Sequence, residues 1–126
     1  MARRILIVED DEKSRRLLSD VLAYHGYEIA AAASGEEGLR AAEARAPDAA
    51  LLDIQLPGIS GFDVLAALRE PGRCGALLPV IAVTASVMEQ DRKKILAAGF
   101  DAFVSKPVNI RDLLATLDQL FVRVRA

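Results

Sequence analysis

The chain has 126 residues, 52% of them hydrophobic and 27% charged, which suits one globular domain, residues 1–126, with a sizeable core. Eighteen acidic residues against sixteen basic ones leave a formal charge of -2, so no net positive field exists to collect polyphosphate, and direct nucleic-acid binding is disfavoured. The single cysteine, Cys74, excludes an internal disulfide or a cysteine-based zinc motif, and no apolar run approaches the ~20 residues that span a bilayer, so a cytoplasmic chain without membrane contact is expected.

Ile5-Leu6-Ile7-Val8 is an aliphatic run without polar alternation, the pattern of a strand covered on both faces. It stops at Glu9-Asp10-Asp11, too soon for the hydrophobic region of a secretory leader despite Arg3 and Arg4 before it. From Ser14, residues Leu17, Leu18, Val21 and Leu22 fall on one helical stripe that Gly26 terminates. Tyr27 to Ala32 reads as a second strand. Ser34-Gly35-Glu36-Glu37 has the form of a capping box and opens a helix through Leu39, Ala42 and Ala46, closed by Pro47.

Ala49 to Ile54 is the third strand, and the turn-rich segment Gln55 to Gly61 leads to a helix around Val64, Leu65 and Leu68. Pro71, Gly72 and Gly75 interrupt the chain. Pro79 to Thr84 forms a fourth strand, followed by a helix from about Val87 to Ala98 that ends at Gly99. Ala102 to Ser105 is a short fifth strand. Asn109 caps a last helix carrying Leu113, Leu114, Leu117 and Leu120, with Asp112 in its first turn.

Strands alternating with helices imply an α/β domain with a five-stranded parallel sheet and helices on both faces, because parallel strands need crossover connections. In such folds ligands bind outside the carboxyl ends of the strands. Those ends carry Glu9 and Asp10, Asp53, Thr84, and Ser105-Lys106-Pro107. Any one of these could be an ordinary helix cap; together they bring three carboxylates, a hydroxyl and an amine to one place. Carboxylates ~4 Å apart repel by several kcal/mol at an effective dielectric near 20, so positive charge must join them. Lys106 and a hard divalent cation are the candidates, Mg²⁺ first and Mn²⁺ as an alternative, since no histidine or cysteine adjoins to favour zinc. An aspartate with a metal, an ammonium and a hydroxyl around it suits phosphoryl transfer to carboxylate.

The segments Ile-Leu-Ile-Val-Glu-Asp-Asp at 5 to 11, Leu-Leu-Asp-Ile-Gln-Leu-Pro-Gly-Ile-Ser-Gly at 51 to 61, Val-Thr-Ala at 83 to 85 and Ser-Lys-Pro at 105 to 107 resemble those of response-regulator receiver domains of two-component signalling. The likeness covers Arg4 to about Val122. It is similar in wording to stand-alone cell-cycle receivers and to receivers of hybrid histidine kinases. The resemblance implies a flavodoxin-like fold with strand order 2-1-3-4-5. It implies Asp53 as phosphoacceptor, Asp10 as the direct metal ligand of an acidic pair with Glu9, and the carbonyl of Gln55 facing the metal. Thr84 and Lys106 would hold the phosphoryl group, and Phe103 takes the aromatic switch position where tyrosine is common. A cis Lys106-Pro107 bond is implied as well. Gln55 and Ser86, two residues after Asp53 and Thr84, would flank the path of an attacking water and tune phosphoryl lifetime.

The expected function is a phosphoryl-accepting switch, not an enzyme in the usual sense, taking phosphate from a histidine kinase or histidine phosphotransfer protein and presenting the face of helix four, strand five and helix five to a downstream protein. If the sequence is the whole protein, output by protein contact is expected. A flavodoxin-like FMN carrier shares the rhythm, but Glu9-Asp10-Asp11-Glu12 would repel its phosphate. A haloacid-dehalogenase phosphatase would want a second Asp where Gln55 stands. His25 is expected at a helix end and Cys74 as an incidental thiol. Arg15 and Arg16 read as a solvated face or a donor-docking pair, and Arg123 and Arg125 as complements to a helix C-terminus.

Overall fold

A computed structural model describes residues 2–70, 78–85 and 88–125, with side chains through residue 122. Cys74 and Ser86 lie outside the described residues, as do the side chains of Arg123 and Arg125. Strands β1 (Arg4–Val8), β2 (Glu28–Ala32), β3 (Ala49–Asp53), β4 (Val80–Thr84) and β5 (Ala102–Ser105) alternate with helices α1 (Glu12–Tyr24), α2 (Gly35–Ala44), α3 (Gly61–Leu68), α4 (Glu89–Ala98) and α5 (Ile110–Arg125). The strands form one parallel sheet in the order β2-β1-β3-β4-β5, the order implied by the resemblance.

Successive side chains of a strand point to opposite faces, and each face here has its own apolar layer. Ile5, Ile7, Leu51, Ile81 and Val83 pack with Leu18 and Leu22 of α1 and Leu113, Leu117 and Phe121 of α5. Leu6, Val8, Leu52, Val80 and Ala82 pack with Ala42 of α2, Val64, Leu65 and Leu68 of α3, and Ile95 of α4. Both layers explain why the central strands read as unbroken aliphatic runs: neither face meets water.

Element ends differ from the sequence reading for local reasons. α1 starts two residues before Ser14 because Asp11 caps it, its carboxylate accepting from the Ser14 amide at 2.9 Å. Tyr27 donates to Leu22 O at 3.1 Å and so closes α1 rather than opening β2. α2 stops at Ala44; Ala46 precedes Pro47, which disfavours helical backbone. Ser34 accepts from the Glu37 amide as a capping box requires, but the Glu37 carboxylate reaches back to Ala33 N instead of Ser34 N. β3 ends at Asp53, and Ile54 begins the loop. α4 begins at Glu89, and Val87 lies outside the described residues. Asn109 does cap α5, accepting from Asp112 N at 3.1 Å.

Candidate functional site

Strand register brings the polar residues together. Val8 pairs with Leu52, so the next residues, Glu9 and Asp53, stand side by side beyond them. Asp53 pairs with Val83, putting Thr84 one step further out, and Thr84 pairs with Ser105, after which Lys106 follows. Short backbone bonds fix these ends: Glu9 N donates to Ala32 O at 3.1 Å, Ile54 N to Val83 O at 3.0 Å, and Lys106 N to Thr84 O at 2.8 Å. The Lys106-Pro107 peptide is cis.

Glu9, Asp53 and Thr84 are the buried polar side chains among the described residues, at 3%, 4% and 6% exposure. Lys106 Nζ donates to Asp53 Oδ2 at 2.7 Å and lies 3.0 Å from Glu9 Oε1. The other Asp53 oxygen, Oδ1, accepts from the Gln55 backbone amide at 2.9 Å. Burial, followed by the hydrogen bond with Asp53, raises the Glu9 carboxyl to about 7. Burial alone would lower Lys106; the hydrogen bonds and charges of Asp53 and Glu9 outweigh it and hold the amine above its ordinary value.

Glu9, Asp10 and Asp53 each offer a carboxylate oxygen, and the three lie within 4.8 Å of one another. Asp10 is the exposed member, at the rim. A donor set of carboxylates alone fits a hard, oxygen-seeking cation that keeps several waters, which is the preference of Mg²⁺.

Glu9, Asp10, Asp53, Thr84 and Lys106 thus gather at one edge of the sheet, with three refinements. Gln55 reaches Asp53 through its amide, with its side chain exposed. Phe103 is half-buried on β5 against the α2–α4 layer, and the Arg92 guanidinium sits 5.3 Å from its ring centroid. Arg15 does not simply project into solvent: it donates to Glu9 O at 3.0 Å and Asp10 O at 3.3 Å, tying the acidic loop to α1, while Arg16 is exposed. His25 occupies the C-cap of α1 as expected.

Sequence reasoning missed the reciprocal capping box of α3, where Ser60 accepts from Asp63 N and the Asp63 carboxylate accepts from Ser60 N. The spacing Ser-x-x-Asp carried that signal. It also missed Arg69, which donates to Leu78 O, Gly99 O and Asp101; its partners are up to 32 residues away and leave no local pattern. Beside the acidic cluster, a groove of about 170 Å³ runs between α1 and the β5–α5 loop, lined in part by Leu17, Leu18, Lys106, Pro107 and Val108. Leu17 is 60% exposed there.

Comparison with known proteins agrees with this geometry. Residues 5–118 match the family model of the response regulator receiver domain. The chain is 38% identical over 117 residues to the polar-differentiation response regulator DivK of Brucella ovis, covering 93% of this chain and 94% of that one. Its fold superposes on the chemotaxis protein CheY4 of Vibrio cholerae with a TM-score of 0.88 at 28% identity, over 95% and 99% of the two chains. It also superposes on the receiver domain of the sensor histidine kinase PA1611 of Pseudomonas aeruginosa, solved with a magnesium ion coordinated in the active site cleft. That match has a TM-score of 0.86 at 30% identity over 95% and 98% of the chains. With sheet order, acidic cluster and family match in accord, the chain belongs to the response-regulator receiver domains of two-component signalling.

Proposed function

We propose that this receiver is a phosphoryl-accepting switch in which Asp53 takes a phosphoryl group from a phosphohistidine on a histidine kinase or histidine phosphotransfer protein. The observation that carries the reading is the single ammonium of Lys106 set between two buried carboxylates, 2.7 Å from Asp53 and 3.0 Å from Glu9. An acceptor carboxylate needs cationic partners to meet the charge of the incoming phosphoryl oxygens.

Glu9, Asp10 and Asp53 would hold Mg²⁺, with the Gln55 carbonyl as a further ligand. When bound, the ion neutralises phosphoryl oxygens and offsets the surplus of carboxylates. Asp53 supplies the nucleophile: its Oδ attacks phosphorus, the phosphorus–nitrogen bond of the donor breaks, and the electron pair leaves with the imidazole nitrogen. The Gln55 amide orients Asp53 by binding Oδ1. Lys106 stays within reach of the new phosphoryl oxygens, and the Thr84 hydroxyl donates to another. Slow return of the switch follows from attack by water on the acyl phosphate, on an approach past Gln55.

The groove between α1 and the β5–α5 loop opens beside Lys106, and its apolar floor with exposed Leu17 suits the approach of a protein donor. Output follows from Thr84 and Phe103 acting on the face of α4, β5 and α5, which a downstream protein reads. A cytoplasmic setting fits such a donor, and among the described residues no helix is long and apolar enough to cross a membrane. Membership in the receiver family sets aside the flavin-carrier and phosphatase readings.

The test is intact mass after incubation with acetyl phosphate and Mg²⁺. The wild type should gain one phosphoryl group and Asp53→Asn none; an Asp53→Asn protein that still gains it would refute the assignment.

A further inference from the structure

Gly61, the first residue of α3, lies directly against the peptide that carries Asp53. A Cβ placed there would meet Asp53 O at 2.5 Å, Ile54 Cα at 2.9 Å and the Asp53 carbonyl carbon at 3.1 Å. All three are backbone atoms at the junction of β3 and its loop, with no flexible tip that could swing aside. The contact is also bonded: Gly61 N donates to Ile54 O at 3.1 Å. The Ser60–Asp63 capping box fixes the first turn in place, so the helix start and the strand end behave as one block.

We infer that Gly61 is a positioning residue for Asp53: the absence of a side chain lets α3 seat against the Asp53 peptide and thereby fixes where its carboxylate meets Lys106 and the Gln55 amide. The inference rests on the reading of Asp53 as acceptor and metal ligand. Its physical basis is the length of the lever. Asp53 has only two side-chain torsions between its backbone and oxygens held at 2.7 and 2.9 Å, and shifts of about 0.5 Å already spoil such a constellation.

Gly35 offers a matched comparison. It opens α2 as Gly61 opens α3, and a Cβ there would also clash, at 2.6 Å, but only with side-chain carbons of Ile59 and Val64. A general packing fault would therefore appear in both alanine variants, and a positioning fault in only one.

The experiment compares Gly61→Ala with Gly35→Ala by amide NMR and Mg²⁺ titration. In metal-free folded protein the Gln55 amide resonance should move in Gly61→Ala and stay in Gly35→Ala, and Mg²⁺ affinity should fall by about tenfold or more in the former alone. Should Gly61→Ala not fold, Asp63→Ala loosens the same helix turn without adding atoms, and Ser34→Ala is its counterpart on α2. Asp63→Ala should then weaken Mg²⁺ and shift Gln55, with Ser34→Ala doing neither. A folded Gly61→Ala with an unmoved Gln55 amide and unchanged Mg²⁺ affinity would overturn the inference, and so would equal effects within the Asp63→Ala and Ser34→Ala pair. A wild type that binds no Mg²⁺ would strike instead at the reading of the site, while the Gln55 resonance would still report on Gly61.

Discussion

Glu9 and Lys106 form a 3.0 Å ion pair in which the acid is almost wholly buried and the amine is one-third exposed. The same amine serves Asp53, so one positive charge is shared between two buried carboxylates, with Asp10 adding a third at the rim. Crowding three carboxylates around one amine pushes Glu9 up to about 7, a cost to folding in the metal-free site that a bound cation would relieve.

Glu9→Gln should remove part of that repulsion while keeping side-chain volume and leaving Lys106 its bond to Asp53. In EDTA its melting temperature should exceed that of the wild type, each kcal/mol gained appearing as roughly 3–6 °C. In millimolar Mg²⁺ the order should narrow or reverse, because the variant has lost an acidic oxygen. Paired thermal scans check both signs, and a metal-free variant less stable than wild type would contradict the charge argument.

Asp10→Ala should behave differently because Asp10 is exposed. Its carbonyl, which accepts from Arg15, survives the substitution. Stability in EDTA should change by no more than about 0.5 kcal/mol, whereas the rise with Mg²⁺ should shrink markedly. An undiminished Mg²⁺ shift would remove Asp10 from the ligand set.

Much of this was legible in the sequence because it is carried by local pattern and strand register. The aliphatic runs at 5 to 8, 49 to 52 and 80 to 83 locate the central strands, and parallel pairing then forces Glu9, Asp53, Thr84 and Lys106 to one edge. Interactions that depend on tertiary approach left no such trace. The helical position of Arg15 suggests a solvated or donor-docking residue, and nothing in it says that the loop carbonyls of Glu9 and Asp10 curl back within 3.0 and 3.3 Å. The tightness around Gly61 is invisible for the same reason: Gly61 lies eight residues after Asp53 in a segment that reads only as turn-rich.

Asp101 is a third such case, at the opposite end of the sheet. Its Oδ2 accepts from Arg69 at 2.9 Å and from the Val80 amide at 2.8 Å, joining α3, β4 and the approach to β5. Val80 is fully buried, so Asp101→Ala would strand its amide, while the guanidinium keeps Leu78 O and Gly99 O. A loss of about 1–3 kcal/mol is expected in urea unfolding, with phosphorylation by acetyl phosphate intact in the folded fraction. A change below about 0.5 kcal/mol would mean that water replaces the carboxylate at no cost.

Thr84→Ala should uncouple the acidic site from the face of α4, β5 and α5. Phe103 pairs with Ala82 across β4 and β5, and Thr84 lies two residues beyond Ala82, so Thr84 and Phe103 are diagonal neighbours on the same face of the sheet. That face lies under α4, whose Ile95 is buried in the same layer and whose Arg92 stands over the Phe103 ring. A phosphoryl group that draws the Thr84 hydroxyl toward Asp53 withdraws bulk from beside the ring, and the ring and α4 must repack together because a close-packed layer does not leave the space empty. If packing drives this step, phenylalanine suffices for it without a phenolic hydroxyl. Beryllofluoride with Mg²⁺, a mimic of the phosphoryl group, should therefore shift amide resonances throughout α4, β5 and the start of α5 in the wild type. In Thr84→Ala the shifts around Asp53 should persist while those in α4 and β5 largely disappear. If they remain intact in that variant, the signal travels by another route and the diagonal contact is only packing.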